Sequence, residues 1–410
     1  MLDAADRAAS GSSRVQARRA VSLCFLLNGV VIASFVPHIP DIKERLALSD
    51  GRLGWLLLAM AAGAIAALPV AGWLVARWGS RAVTWVSAAA LSLAVIPPVL
   101  GPGVASSACA LCLLGACNAT LDVAMNAQGI LVESAYRRPI MSSFHALFSL
   151  GGLAGAGGAS VAMAAGMSAA SHVLVVAGLS LTAVAIARSA LLPSEHRAAR
   201  DPILVWPPAA LLGLGCLSFC ALLAEGAMGD WSAVYLRDAL GTTPAFAAMG
   251  FAIFSLAMAL GRFAGDGLAR RLGPVRLLQL SGSVAAIGLA ASLLRGTATV
   301  SLVGFGLVGL GVANLIPILF SAAGRAPGIA SGTAIAAVAT TGYFGFLAGP
   351  PLIGLAAEAA GLPAALGIVC TACGIVACGA QLLLPSRTTL APPEHDAGGT
   401  SLTTTEVRHG

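Results

Sequence analysis

Asn118, Asp122 and Asn126 recur every four residues inside one long apolar run, 104–132. On a helix that spacing stacks the three side chains on one face, a turn apart. An ionised carboxylate in hydrocarbon costs several kcal/mol, so such a face turns toward a bundle interior or a water-filled cavity. Asp122 lies about 11 residues, roughly 16 Å, from the inner end of its run, which is near mid-membrane. A carboxylate that is dried and rewetted there can bind and release a proton; the alternative is an Asp merely hydrogen-bonded to a neighbouring helix. Glu225 sits at similar depth in another apolar run, within Leu-Leu-Ala-Glu-Gly-Ala-Met. Asn28 and Asn314 are mid-run amides, which suit hydroxyl-rich or amide solutes because they both donate and accept. Their alternative role is interhelical glue, worth about 0.6 kcal/mol each. His145 is a candidate proton relay, a hydrogen bond at a gate, or a satisfied structural imidazole. Asp230, with Trp231, Tyr235 and Arg237, lies nearer the end of its run and reads as an interfacial anchor or gate group.

These residues need a scaffold that holds them in a bilayer. Of the 410 residues, 58% are hydrophobic and only 10% charged, against about 25% charged in a soluble domain. The chain is therefore expected to be an all-α integral membrane protein. Apolar runs of spanning length fall at 20–37, 53–75, 81–100, 104–132, 140–166, 170–192, 207–236, 243–268, 274–294, 297–322, 328–356 and 363–385. They are numbered here as spans 1 to 12. The expected organisation is a short N-terminal segment 1–19, a six-helix bundle 20–192, a polar linker 193–206, a second six-helix bundle 207–385 and a disordered tail 386–410. With the N-terminus inside, only Lys43, Arg45, Arg52, Arg237 and Arg295 of the 23 Lys and Arg residues fall on outer segments. That bias puts both termini in the cytoplasm. The prolines at Pro97-Pro98, Pro317 and Pro350-Pro351 predict bends.

Several function classes are disfavoured. The basic residues sit at helix ends rather than in a patch, so no nucleic acid is expected. The nine cysteines lie in apolar runs, with the Cys109/Cys112 and Cys370/Cys373 pairs lacking further ligands nearby, so no metal is expected either. There is no Gly-Lys-Ser/Thr phosphate loop, and the six histidines form no pair at ligand spacing. An enzyme is not expected, nor any cofactor; the energy source would be a proton gradient.

An internal repeat divides the chain. Leu74, Arg77 and Gly79 match Leu268, Arg271 and Gly273 at an offset of 194, and Gly-Gly-Leu-Ala-Gly at 151–155 matches Gly-Phe-Leu-Ala-Gly at 345–349 at the same offset. Gly115-x-x-Asn118 matches Gly311-x-x-Asn314 at 196. Transporters are commonly built from such repeats, with the binding site at their interface. Gly72, Leu74, Arg77, Gly79 and Arg81 resemble the signature between the second and third helices of the major facilitator superfamily, with Ala76 where that family carries an acid. Asp266, Arg270, Arg271 and Gly273 resemble its second copy. The stretch Phe144-His145-Ala-Leu-Phe148-Ser-Leu-Gly151-Gly152 is similar to the fucose-permease-like, sugar-porter-related branch. The resemblance covers about residues 20–385. It implies two pseudo-symmetric bundles, a cavity lined by spans 1, 4, 7 and 10, and a cytoplasmic gate at the signature loops, locked by charge contacts and helix ends. The expected function is a proton-coupled symporter of a small polar solute, a sugar or related metabolite. It would work as a monomer in the bacterial inner membrane, its partners being the solute and the lipid bilayer. Two alternatives are an exporter of drugs or secondary metabolites and a non-transporting sensor. The exporter reading is weakened by the lack of an Arg in span 4 before Arg137 and by Ala156 after Gly155.

Overall fold

The computed structural model describes residues 11–137, 140–193, 208–329 and 331–383. Among these every regular element is helical. The expected linker 193–206 and tail 386–410 lie almost wholly outside the described residues, as does the start of segment 1–19.

Spans 2 and 3 form one hydrogen-bonded run, Asp50–Ala94, of 45 residues. At about 1.5 Å per residue such a rod would be roughly twice as long as the hydrocarbon core is thick. It is broken at Gly79, which has φ 79° and ψ 148°. Among the described residues, eleven apolar helices long enough to cross a bilayer thus make twelve spans. Gly273, one repeat later, adopts nearly the same conformation (φ 76°, ψ 161°) between spans 8 and 9. This region of the backbone map is closed to residues with a Cβ and costs about 1–3 kcal/mol to enter. Gly79→Ala and Gly273→Ala are therefore each expected to lower stability by about that amount. Detergent-solubilised protein should unfold at a correspondingly lower temperature, and an unchanged melting curve would refute the strain argument.

The remaining spans are Gly11–Phe35 (span 1), Val104–Tyr136 (4), Met141–Ala164 (5), Ala169–Ala187 (6), Leu212–Val234 (7), Pro244–Leu272 (8), Pro274–Arg295 (9), Ser331–Ala360 (11) and Leu362–Leu383 (12). Span 1 already begins at Gly11, so Arg14, Arg18 and Arg19 ride on its first turns. The Arg18 guanidinium lies 5.5 Å from the Tyr136 ring centre at the end of span 4, a cation–π contact. Span 10 is split into Ala298–Val312 and Leu315–Ala323. Pro317 accounts for the break: it has no N–H for the Ala313 carbonyl, and its ring crowds that carbonyl. Ile96–Leu100, carrying Pro97 and Pro98, is likewise separated from span 3. Pro350 and Pro351 lie inside span 11, whose hydrogen-bonded helix continues through them.

Packing follows the repeat. Span 1 packs on span 5 as span 7 packs on span 11, and spans 2–3 pack on span 4 as spans 8–9 pack on span 10. The halves meet where span 2 touches span 11 and span 5 touches span 8. Small residues make these contacts, as expected where lipid removes the hydrophobic drive between helices. Gly115 abuts the Met60 carbonyl, and Gly309 abuts the Phe254 carbonyl. Met60 and Phe254 are 194 apart, as are Gly115 and Gly309. The structural counterpart of Gly115 is therefore Gly309 and not Gly311, which corrects the match at 196. Between the halves, a Cβ on Gly354 would come within 3.0 Å of the Gly54 Cα.

Candidate functional site

The polar groups converge between the halves. On span 4, the Asn126 side-chain amide donates to the Asp122 backbone carbonyl at 2.8 Å and to its Oδ1 at 3.0 Å. The three-residue face thus forms as its spacing dictates, and Asp122 is partly exposed rather than sealed. Asn118 lies a turn earlier, with a buried Oδ1 that has no partner among the described residues.

Glu225 faces this region from span 7. The Arg262 guanidinium on span 8 lies 3.7 Å from it. The same guanidinium donates across the halves to Ser149 Oγ on span 5 at 2.8 Å. Ser149 is one turn from His145 and donates to the His145 carbonyl at 3.3 Å. The His145 ring stands edge-on to Phe25 at 5.2 Å and lies within the field of Arg262. From span 11, Tyr343 lies within the fields of both Asp122 and Glu225 and is 37% exposed. Spans 4, 5, 7, 8 and 11 thus bring two acids, one guanidinium, an imidazole and a phenol together.

Sequence reasoning missed two of these. Arg262 counts by position among inner-end charges, yet it lies inside the apolar helix of span 8 and faces Glu225. The available signal was an Arg within the run 243–268. Tyr343, one of only three tyrosines in the chain, is likewise mid-run.

Two further candidates are buried against neighbouring helices. Asn28 is 2% exposed, with its Nδ2 3.8 Å from the Met125 sulfur. Its Oδ1 has no partner among the described residues. Asn314 is also buried and donates to the Gly261 carbonyl of span 8 at 2.9 Å. It therefore closes the break in span 10 rather than facing Asp122, and the corrected repeat register explains why it does not copy Asn118. Asn314→Ala is expected to cost about 1 kcal/mol of stability without altering solute affinity; a thermal melt and a binding titration would check both. Trp231 and Tyr235 are 0% and 1% exposed, so they pack in the core instead of anchoring at a membrane surface.

At one end of the bundle the signature loops gather. Arg77, Arg270 and Arg271 are exposed, and Gly72 is half-buried. Arg81 donates to the Ser189 carbonyl just past span 6 at 3.3 Å. The Asp266 side chain lies outside the described residues. Gln128, fully buried, holds Ser80 at 2.8 Å and the Leu192 carbonyl at 2.9 Å, pinning this loop to span 4.

At the opposite end charged groups join the halves. Lys43 lies 2.6 Å from both Asp50 and Asp238. Arg237 pairs with Asp41, and with Glu44 at 2.6 Å. Arg237 and Asp238 sit in Tyr235–Ala239, a final turn of span 7 widened to i→i+5 bonding, a device that re-aims side chains. No group of three or more His, Cys, Asp and Glu arranged to hold a metal ion occurs among the described residues.

Two packed six-helix halves with charged groups between them define a two-bundle membrane transporter. The sequence model of the Major Facilitator Superfamily matches residues 21–343 and 214–409. An uncharacterized MFS-type transporter of Yersinia pestis is 39% identical over 348 residues, spanning 85% of this chain and 90% of that protein. Membrane protein MosC of Rhizobium meliloti is 35% identical over 367 residues, 88% of each. The chain belongs to the Major Facilitator Superfamily. Its fold is shared by a D-xylose-proton symporter of known structure at a TM-score of 0.73 and 11% identity, over 91% of this chain and 98% of that one.

Proposed function

We propose that this transporter moves a small polar solute, a sugar or related metabolite, together with a proton, by rocking its halves around the Asp122–Glu225–Arg262–Tyr343 centre. One observation carries the reading: Arg262 reaches both Glu225 of its own half and Ser149 of the other, and acids from both halves, Asp122 and Glu225, lie within electrostatic reach of Tyr343. Such a centre offers donors and acceptors for hydroxyls, and a carboxylate that can trade its proton as access alternates. The shared fold of a D-xylose-proton symporter is in keeping with it. The Arg-rich signature-loop end faces the cytoplasm of a bacterial inner membrane with both termini, and the Lys43 end faces out. The protein acts as a monomer, without a cofactor.

The test is proton movement in liposomes containing the purified protein, followed with a trapped pH-sensitive dye while sugars and polar metabolites are added outside. Acidification of the lumen triggered by one of them supports the reading. Proton movement of opposite sign, triggered only by lipophilic cations, would replace it with an exporter.

A further inference from the structure

We propose that His172, His38 and Asp41 form a second proton-binding site, one that releases the Arg237 latch between the halves when it takes up a proton. The proposal stands on geometry at the Lys43 end and does not depend on which solute is carried.

His38 and His172 are 1% and 6% exposed. His38 Nε2 lies 2.9 Å from His172 Nδ1, and His38 Nδ1 lies 3.2 Å from Asp41 Oδ2. The other oxygen of Asp41 pairs with Arg237 of the second half. A carboxylate requires a hydrogen on His38 Nδ1. The neutral chain is therefore directed, with His172 Nδ1–H donating to His38 Nε2 and His38 Nδ1–H donating to Asp41. His172 Nε2 has no partner among the described residues and is the point of entry. A proton added there makes an imidazolium on the pair and leaves Asp41 a carboxylate, because its burial is outweighed by the hydrogen bonds and charges of His38 and Arg237, which favour the charged form. One proton enters, and Arg237 must then share Asp41 with a second cation; its other partner, Glu44, is 75% exposed and holds it weakly.

The surrounding charges agree with this sign. Lys43 is neutralised by Asp50 and Asp238, so it leaves the imidazoles free to charge. Span 7, which also packs on Val36–His38, carries Glu225 and Asp230 within its helix and Arg237 and Asp238 at its end. Spans 5 and 8, which also pack on Val36–His38, carry their titratable groups, His145 and Arg262 among them, toward the other end. In the closed latch the two imidazoles share one hydrogen between facing nitrogens, so they cannot both be charged. An open gate wets them and lets each charge separately. Acid therefore favours opening, because the open form binds more protons.

The test is amide hydrogen exchange of peptides covering 36–48 and 235–243 in the full-length protein, without solute. Exchange times are scaled for the intrinsic pH dependence. Between about pH 7.5 and about pH 5.5, the window in which imidazole changes charge, both peptides should lose protection by at least about threefold. His38→Gln combined with His172→Gln should abolish that response. Asp41→Asn, which removes the carboxylate that Arg237 holds and keeps both imidazoles, should hold both peptides in the less protected state at either pH. Equal protection of the parent at both values, a pH response surviving the double variant, or full protection in Asp41→Asn would each overturn the proposal. None of these readouts uses transport, so a wrong solute or coupling mode does not change what they report.

Discussion

Asp122→Asn should end uphill transport and leave solute exchange intact. One coupled proton falling through one pH unit supplies about 1.4 kcal/mol, enough for about tenfold accumulation. The amide has the shape of the acid but carries no exchangeable charge, so in liposomes with an imposed pH gradient the accumulation ratio should fall to unity. Counterflow of labelled against unlabelled solute asks only that the halves rock with the site occupied, and it should continue within about twofold of the parent, since an isosteric change away from a packing fault costs little. Accumulation persisting in the variant would remove Asp122 from coupling and shift attention to Glu225. Loss of counterflow together with accumulation would make Asp122 a solute contact.

Arg262→Gln should damage both modes. The guanidinium joins Glu225 of its own half to Ser149 of the other. Removing it leaves a carboxylate inside the membrane without its cation. Truncating one partner of such a pair costs about 2–5 kcal/mol; here the value belongs near the low end, because both groups are about a fifth exposed. Counterflow and net uptake should each drop by at least about tenfold, the factor that corresponds to 1.4 kcal/mol. Arg262→Lys should recover part of the charge interaction but not the two-sided reach, since an ammonium lacks the guanidinium fork. Equal activity of the Gln variant and the parent would show the bridge to be idle.

Much of this architecture was legible in the chain because lipid makes hydropathy decisive: a spanning run has few other solutions. The Asp122–Asn126 pair was legible too, since four-residue spacing fixes a helical face. Arg262 was not, because charge counting assigns an Arg near a helix end to the adjoining loop, and only the direction of its side chain moves it to the centre. Asn314 misled for a different reason. Glycines are so frequent that Gly311 offered a match two residues out of register, and the backbone contact of Gly309 with Phe254 was needed to correct it. At the Lys43 end a gate role was expected for Arg237, but its partners were beyond reach, because they lie nearly two hundred positions away and no local spacing announces them.

The near-contact of Gly54 with Gly354 has a kinetic consequence. A joint made of bare backbone has no teeth: tilting one half against the other there disengages no side chain and demands no rotamer change. Resistance to opening at this end therefore rests on the charged groups beside the joint, where Lys43 and Arg237 must let go of their partners. Turnover should then quicken as ionic strength rises, because dissolved ions shield those pairs and leave the bare-backbone contact as it was.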